Sequence, residues 1–368
     1  MDMIPINRPL LNEKEVKAVA TVLRSGVLTC RAESGSAVGR FERAFAKFAG
    51  AGHAFAVNSG TAALHLSLLA SGVGHGDEVV VPSFTFVATA ETVMLAGATP
   101  VFVDIDLDTY NVEPEQIEKA ITKRTRAVVP VDLFGLPADV KPIREVADRH
   151  NVIIIEDAAQ AHGARYRGKP AGCFTDLACW SFYASKNMTT GEGGMVTTNS
   201  DHFAAKLPVM RTHGESDEYV STMIGGNFRM PEMAAAVGLV QLSKLPRFLK
   251  LRSRNAARLA SRLRSVEGLQ LPTVPRGLGH SWYLFTVRLK DGDKKKRNRI
   301  VAELRKRGVG ATVYYPVPIH RMPFYRRFCQ RRLPNTEKAA RQVFSLPVHP
   351  AVTEEQVDYI ASSLKELL

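Results

Sequence analysis

The sequence predicts an α/β protein with two domains, a large one built on a mostly parallel β-sheet and a smaller C-terminal α+β domain. The chain has 368 residues, enough for one large core and a second, smaller one. Residues 54–200 alternate short apolar runs with segments of helical periodicity, which is typical of βαβ units. A long basic amphipathic segment, residues 245–263, then separates this region from a C-terminal third of different charge.

Each predicted strand of the large domain is a short apolar run bounded by turn-forming residues. Amphipathic stretches separate most of these runs, as expected where helices cover both faces of a parallel sheet. Pro231 starts a further helix rich in small residues, because proline is well tolerated in the first helical turn. The predicted strands are residues 54–57, 78–81, 100–104, 127–132, 152–156, 177–182 and 195–198, and the predicted helices include 61–70, 114–121 and 141–149.

We place the domain boundary near the start of the long basic helix. This gives a large domain of residues 1–245 and a small domain of residues 246–368, and we expect the N-terminal segment 1–35 to pack on the small domain. Within the small domain, the pattern predicts strands over 281–289 and 311–315 and helices over 294–306 and 353–367.

The net charge of +13 is concentrated toward the C-terminus. Residues 241–368 carry a net +18, whereas residues 1–240 carry a net −5. Such an excess could attract nucleic acid or a small anion such as a sugar diphosphate, or it could be a solvated basic surface. We favour the solvated surface and expect no nucleic-acid partner, because no nucleic-acid-binding motif accompanies the charge.

Composition excludes several other classes of protein. No run of about 18 apolar residues is present, so no membrane span is expected. The N-terminus lacks the basic and apolar regions of a secretory signal. Cys30, Cys173, Cys179 and Cys329 lack metal-binding spacing, which predicts reduced thiols and no metal site. The protein is therefore expected to be cytoplasmic.

The strongest chemical signal is a lysine that follows one predicted strand and an acid that follows another. Lys186 lies in the segment 181–187, just before the glycine-rich run 191–194. Asp157 lies 29 residues earlier, after the apolar run 152–155. An enzyme that uses pyridoxal 5′-phosphate (PLP) needs a lysine amine to form a Schiff base with the cofactor's aldehyde. It also needs an acid that keeps a proton on the pyridine nitrogen.

Further candidates fall at the same predicted edge of the sheet, because the carboxyl ends of parallel strands gather there. Gly60, Thr61 and Ala62 open a helix whose free amides suit a phosphate group, although such a turn is more often only a helix cap. Phe86 could stack on a cofactor ring, although a single phenylalanine usually belongs to the core. The prediction therefore depends on the whole set in this order.

Together these motifs resemble the DegT/DnrJ/StrS family of sugar aminotransferases, which are PLP-dependent transferases of the aspartate-aminotransferase fold (fold type I). The resemblance covers nearly the whole chain, and its motifs are highly specific as a set. The segments that carry it are residues 25–29, 41–42, 58–64, 82–86, 101–104, 156–163, 181–187, 225–230 and 346–350.

The resemblance implies a role for each candidate residue. Lys186 and Asp157 are the implied catalytic residues, the first as the Schiff-base lysine and the second as the partner of the pyridine nitrogen. Gln160 is implied to reach the cofactor's phenolic oxygen, and Phe86 to stack on its ring. The implied phosphate-binding residues are Gly60, Thr61, Ala62, Ser181 and Asn227 of the partner subunit in a homodimer, and the weaker substrate candidates are Arg229, Tyr315 and His320.

The implied reaction moves an amino group, most simply from L-glutamate, to a nucleotide-linked keto-sugar. Packing at the domain junction is the alternative for Tyr315 and His320. A PLP-dependent lyase, a dehydratase or a desulfurase of the same fold is a competing function; a desulfurase would need a reactive cysteine such as Cys329. A regulatory or nucleic-acid-binding relative without catalysis is another, but the intact Lys186 and Asp157 argue against it.

Overall fold

A computed structural model describes residues 3–30, 35–217 and 219–368. The predicted α/β architecture is confirmed, and each predicted strand of the large domain is present. In chain order the elements up to the long helix are α1 (Glu13–Ser25), α2 (Ala37–Ala49), β1 (His53–Val57), α3 (Gly60–Ala70), β2 (Glu78–Pro82), α4 (Ala88–Leu95), β3 (Thr99–Val103), α5 (Pro114–Ala120), β4 (Thr125–Val128), α6 (Val140–His150), β5 (Ile153–Asp157), β6 (Arg165–Tyr166), β7 (Lys169–Pro170), β8 (Leu177–Ser181), β9 (Gly194–Thr198), α7 (Asp201–Arg211), β10 (Glu215–Asp217), β11 (Val220–Ser221) and α8 (Glu232–Leu263).

The large domain is built on a seven-stranded sheet with the order β1-β9-β8-β5-β4-β2-β3. Strand β9 runs antiparallel to its two neighbours, while the strands from β8 to β3 pair in parallel. The carboxyl ends of β1, β2, β5 and β8 therefore lie at one edge of the sheet. The predicted strand over 127–132 stops at Val128, because Pro130 has no amide hydrogen to donate to a neighbouring strand.

Helix α8 runs through the predicted domain boundary. The two helices predicted from Pro231 and over residues 245–263 are one element of 32 residues, and it continues through Pro246. Leu245 packs in the core of the large domain, whereas Ala256 and Leu263 pack in the core of the small domain. A single helix thus joins the two domains, and the point at which it passes from one hydrophobic core to the other lies within that helix.

The small domain packs helices on a three-stranded antiparallel sheet of order β12-β14-β15. The predicted strand over 281–289 begins only at Phe285. The predicted strand over 311–315 is wrong: Thr312 forms a single bridge, and the chain then turns toward the large domain, where Tyr315 packs on aromatic rings. Tertiary packing overrides β-propensity here. The remaining elements are β12 (Leu269–Gln270), β13 (Leu278–Gly279), β14 (Phe285–Leu289), α9 (Lys294–Lys306), α10 (Pro334–Gln342), β15 (Val343–Leu346) and α11 (Glu354–Lys365).

The N-terminal segment contacts both domains, so far as residues 3–30 and residue 35 describe it; residues 1–2 and 31–34 of the predicted segment 1–35 lie outside the described residues. Ile4 is buried in the small-domain core, and its backbone bonds to Gly308 and Gly310 at 2.8 Å each. Helix α1 packs along α8.

The basic surface of the C-terminal third is partly neutralised within the protein. Arg254, Arg258 and Arg262, one turn apart on α8, form ion pairs with Glu354 and Asp358 on α11. Solvent screens these surface pairs strongly, so their main consequence is local charge balance. Across the residues that the structure describes, the helices are all too short or too polar to cross a bilayer.

Candidate active site

Lys186 lies in a tight turn beyond the end of β8. Its backbone amide donates to the carbonyl of Tyr183 at 2.9 Å, which closes the turn. The ammonium group lies over the ring of Tyr283, with Nζ 4.8 Å from the ring centre. Burial lowers the pKa of the Lys186 amine to about 8, although the negative charge of Asp157 opposes that shift. A proton can therefore leave and return to this amine near neutral pH.

Asp157 is the last residue of β5 and is buried. Oδ2 accepts a hydrogen bond from the Thr89 hydroxyl at 2.8 Å, and Oδ1 accepts one from the Ala159 amide at 3.2 Å. Burial raises the pKa of the Asp157 carboxyl, while both donors and the charge of Lys186 act in the opposite direction. The carboxylate is therefore held in one orientation by neutral donors and has a cationic neighbour.

Thr89 is a site residue that the sequence interpretation missed. Its side chain is buried at the start of α4, and its hydroxyl also lies 3.2 Å from that of Thr85. Thr85 lies in the bend after β2 and Thr89 in the first turn of α4, so two threonines four residues apart between these elements were the available signal.

Gln160 links the large domain to the segment that carries Tyr315. Its Oε1 accepts from the amide of Phe134 at 2.7 Å, and its Nε2 donates to the hydroxyl of Tyr315 at 3.3 Å. The ring of Phe86 is 54% exposed and lies 6.2 Å from that of Tyr315, centre to centre. The structure therefore brings Gln160, Phe86 and Tyr315 together, and Phe86 has a free face for another ring.

The amino end of α3 approaches Ser181 closely. A Cβ atom on Gly60 would lie 2.7 Å from Cβ of Ser181, so only glycine fits at this position. The Ser59 hydroxyl caps the helix by accepting from the Ala62 amide at 3.0 Å. This cap engages one of the two amides predicted for phosphate binding, whereas the amide of Thr61 lies in the first turn, where helices have no internal acceptor.

Asn227 and Arg229 lie beside the end of β1. Asn58 donates through its side chain to the Asn227 carbonyl at 3.2 Å, and Arg229 forms a backbone bridge with Val57. Asn227 is exposed and Arg229 is half-buried. Both therefore lie near the amino end of α3, with the Asn227 side chain on the surface of the chain.

His320 is not placed for contact with a substrate. Its side chain is 0% exposed, with Nδ1 2.6 Å from the Ser83 hydroxyl and Nε2 3.4 Å from a Glu337 oxygen. The backbone amide of His320 also donates to the Ser83 hydroxyl, at 3.0 Å. These contacts support the packing alternative, because a fully enclosed imidazole has no surface left for a ligand.

A second set of residues that sequence interpretation missed holds the lysine turn from the side of the small domain. The Ser185 hydroxyl lies 3.0 Å from that of Tyr283, and the Asn7 side chain donates to the Ser185 carbonyl. Asn7 also accepts from the buried Arg252 at 3.0 Å. No local motif marks these residues, because they are brought together by contacts between distant parts of the chain.

The thiol considered for the competing desulfurase function, that of Cys329, is not accessible. Cys329 is 8% exposed and packs in the core of the large domain. In the described part of the chain, no three His, Cys, Asp or Glu side chains converge as metal ligands would.

The fold and this site define an aminotransferase. The model of the DegT/DnrJ/EryC1/StrS aminotransferase family matches residues 9–365, and the chain belongs to that family. Two curated relatives illustrate its range. The chain is 41% identical to GDP-perosamine synthase of Caulobacter vibrioides, over 90% of this chain and 91% of the relative. It is 40% identical to UDP-N-acetyl-3-dehydro-alpha-D-glucosamine 3-aminotransferase of Acidithiobacillus ferrooxidans, over 89% and 87%.

A solved structure supports the fold over the full length. A putative sugar aminotransferase from Streptococcus pneumoniae, in its PLP form, superposes with a TM-score of 0.94 at 30% identity, covering 99% of this chain and 98% of that one. The family and such structures imply PLP as the cofactor.

The residues at this site fit that cofactor by their chemistry. They provide a lysine amine whose pKa is lowered to about 8, an acid held by neutral donors, and an aromatic ring with a free face. A helix amino terminus in close contact with a serine completes the set.

Proposed function

We propose that this aminotransferase binds PLP at the carboxyl edge of the large sheet and transfers an amino group from L-glutamate to a nucleotide-linked keto-sugar. The observation that carries the proposal is the pairing of Lys186 with Asp157, at the ends of two adjacent strands of a chain in this family. When bound, PLP supplies an aldehyde that reacts with amines and a ring that withdraws electrons from the attached carbon.

Lys186 holds the cofactor and moves the proton in this proposal. Because its pKa is lowered to about 8, a useful fraction of the amine is unprotonated near neutral pH. The same Nζ can accept and return a proton. Asp157 pairs with the ring nitrogen, and the Thr89 hydroxyl and Ala159 amide favour its ionised form. Phe86 stacks on the ring, and Gln160 reaches the cofactor's phenolic oxygen.

The phosphate group is proposed to bind at the amino end of α3. The amides of Gly60 and Thr61 and the positive end of the helix dipole favour an anion there. The Ser181 hydroxyl lies against Gly60 and adds a donor. The Ala62 amide takes part only if the Ser59 cap opens, so we assign the larger share to Thr61 and Ser181.

The choice of a nucleotide-linked keto-sugar is supported by what the relatives' names state. One curated relative is named for a GDP sugar and another for a UDP-linked 3-dehydro sugar, at nearly equal identity to this chain. The nucleotide is therefore left open, as is amination at C3 or C4. Arg229 and Tyr315 are the proposed contacts for the carboxylate and the sugar, since both lie near the predicted cofactor.

The decisive experiment incubates the purified enzyme with PLP, L-glutamate and a panel of GDP-, UDP- and dTDP-linked keto-sugars, with mass-spectrometric detection. We expect an amino-sugar nucleotide from at least one member and the release of 2-oxoglutarate. Turnover of free amino acids and 2-oxo acids alone, with no product from any nucleotide sugar, would refute the substrate class while leaving the aminotransferase intact.

We also propose that the working unit is a homodimer in which Asn227 of the partner subunit completes the phosphate site. The support is the exposed Asn227 beside an apolar surface segment, in which Tyr219 is 86% and Ile224 is 84% exposed. Isolated exposed apolar residues are common, but several together favour a contact between proteins.

Subunit mixing tests this dimer. Lys186→Ala and Asn227→Ala should each be inactive, and equal amounts should regain up to about a quarter of wild-type activity, because half the dimers are hybrids with one intact site. Prior evidence of subunit exchange, from differently tagged wild-type chains, is the control. A fully active monomer in sedimentation would rule the dimer out.

A further inference from the structure

Two buried acids, Asp132 and Glu156, lie behind the candidate active site. Val131 forms a parallel bridge with Asp157, so the side chains of these two residues share one face of the sheet. Because side chains alternate along a strand, Asp132 and Glu156 share the opposite face. Asp132 is 0% and Glu156 1% exposed, so both carboxyl groups are shielded from bulk solvent.

The hydrogen-bond donors around this pair are unequally shared. Glu156 accepts from the Gly172 amide at 3.0 and 3.1 Å and from the Thr175 hydroxyl at 2.9 Å. Asp132 accepts on Oδ1 from the Ala138 amide at 2.9 Å, while its Oδ2 is buried without any donor. The carboxyl groups of Asp132 and Glu156 are in side-chain hydrogen-bonding contact, so two ionised groups would place acceptor against acceptor.

The charges that act most strongly on this pair are negative. Among the described residues, the titratable groups that act on the pair are Asp157 on the same strand and the thiols of Cys173 and Cys179. Burial raises the pKa of both Asp132 and Glu156, and the partner's charge raises that of Asp132 further. Two carboxylates in such a site repel each other, and a proton on one of them relieves the contact.

We propose that Asp132 retains its proton at neutral pH and donates it from Oδ2 to Glu156, so that the pair carries one negative charge, located on Glu156. The charge belongs on Glu156 because that carboxylate already has the Gly172 and Thr175 donors. The proton also satisfies the buried Oδ2 of Asp132, which otherwise has no partner.

The pair acts as a positioning device for the cofactor residues. Asp132 fixes the loop that contains Phe134 and Ala138, and the Phe134 amide in turn holds Gln160. The backbone amide of Asp132 donates to the carbonyl of Asp157 at 3.1 Å. Loss of the shared proton would therefore disturb two residues of the candidate site; this part of the inference depends on the proposed function.

Infrared spectroscopy of the holoenzyme tests where the proton is. At neutral pH we expect a carbonyl-stretch band of a buried protonated carboxylic acid that moves in heavy water. Enrichment of all aspartate side-chain carboxyls with ¹³C should shift this band, and the same enrichment of glutamates should not. Absence of the band, or a shift only with labelled glutamate, would overturn the assignment to Asp132.

Three variants test the pair and its role. Asp132→Asn should abolish the band and yet bind PLP within about twofold of wild type, because its amide still donates to Glu156. Asp132→Leu should weaken PLP binding about tenfold or more, since donor and acceptor are both lost. Asp104→Asn is the matched control: Asp104 is buried and accepts from the amides of Asn335 and Thr336 at 3.0 and 2.7 Å, so the band should remain.

Equal PLP binding by Asp132→Leu and wild type would refute the positioning role and leave the proton assignment standing.

The dependence of stability on pH gives a second measurement. A carboxyl group whose pKa is raised in the folded state stabilises the fold fully below its unfolded pKa. This stabilisation is lost as pH rises through the folded-state pKa. The urea midpoint of wild type should therefore fall relative to that of Asp132→Asn as pH rises from about 4, where an unfolded aspartate ionises, through neutrality, and parallel pH profiles would contradict the shared proton. Because neither measurement requires turnover, failure of the sugar substrate assignment remains distinguishable from failure of this inference.

Discussion

The two faces of strand β5 carry neighbouring acids in contrasting surroundings. Asp157 faces the lysine turn, where it accepts from Thr89 and Ala159 and is attracted by the charge of Lys186. Glu156 faces a closed interior, where its nearest charged neighbours are other acids. Burial raises the pKa of both carboxyl groups. Burial alone therefore does not distinguish a functional acid from a structural one.

The two faces differ in what opposes the rise in carboxyl pKa that burial causes. On the Asp157 face a nearby amine stabilises the acid by its positive charge, and that amine can hold and move a proton. On the Glu156 face the compensation comes from the Gly172 amide, the Thr175 hydroxyl and, in our proposal, a second acid that keeps its own proton. The first arrangement supports chemistry on a ligand, and the second provides a rigid structural support for that site.

The largest effect is expected from removal of the amine on the active face. Lys186→Ala should lower transamination by about four or more orders of magnitude, because the covalent attachment and the proton-moving group are both lost. Borohydride treatment of the wild-type holoenzyme should attach the cofactor to the peptide that contains Lys186. Lys169→Ala is a suitable control, because this amine also lies over an aromatic ring, that of Phe174, but outside the site. Attachment to another lysine would contradict the assignment.

The next largest effect on turnover is expected from neutralising the acid on the active face, and it allows the two acids to be compared directly. Asp157→Asn should fold and bind PLP but lose about 10²- to 10⁴-fold in turnover, since a neutral amide cannot hold the ring nitrogen protonated. Asp132→Asn, on the other face, should retain most of its turnover. Steady-state kinetics of the two variants measure the contrast. If both lost turnover equally, the distinction between the faces would be wrong.

A smaller effect is expected from the hydroxyl that orients Asp157. Thr89→Val should lower turnover about tenfold, the equivalent of one hydrogen bond to a charged group, and Thr89→Ser should restore it. The pH dependence of the cofactor's absorbance should shift in Thr89→Val, which a merely structural role would not cause. Thr92→Val is matched, because the Thr92 hydroxyl is buried on the same helix but donates to the backbone of Ala88 at 2.9 Å. Unchanged kinetics and absorbance in Thr89→Val would exclude the role.

The sequence predicted the elements of the active face well because each local signal agreed with the next. The strand runs end in Asp157 and Ser181 close to where the structure ends them, and the Gly60 turn follows β1 as expected. Thr89 and Asp132 were missed, because each becomes informative only when distant strands place it beside an acid. The error at residues 311–315 has the same origin: Tyr315 follows contacts with the large domain and departs from its local strand preference.

The smallest effect concerns the stability of the cofactor-free enzyme and depends on Lys186. Burial lowers the pKa of its amine from the ordinary value of 10.5 to about 8 in the folded protein. Between these values the unfolded chain binds more protons, so Lys186 makes folding more favourable as pH rises from about 8 toward 10.5. A full difference of one bound proton would change the free energy of unfolding by about 1.4 kcal/mol per pH unit. Because Lys186 is only half-buried, we expect its contribution to this free energy to be less than about 1 kcal/mol per pH unit. Urea unfolding of wild type and Lys186→Met across this range measures the difference. Identical pH profiles would show that the amine is not desolvated, and would remove the physical reason for its role as the proton carrier.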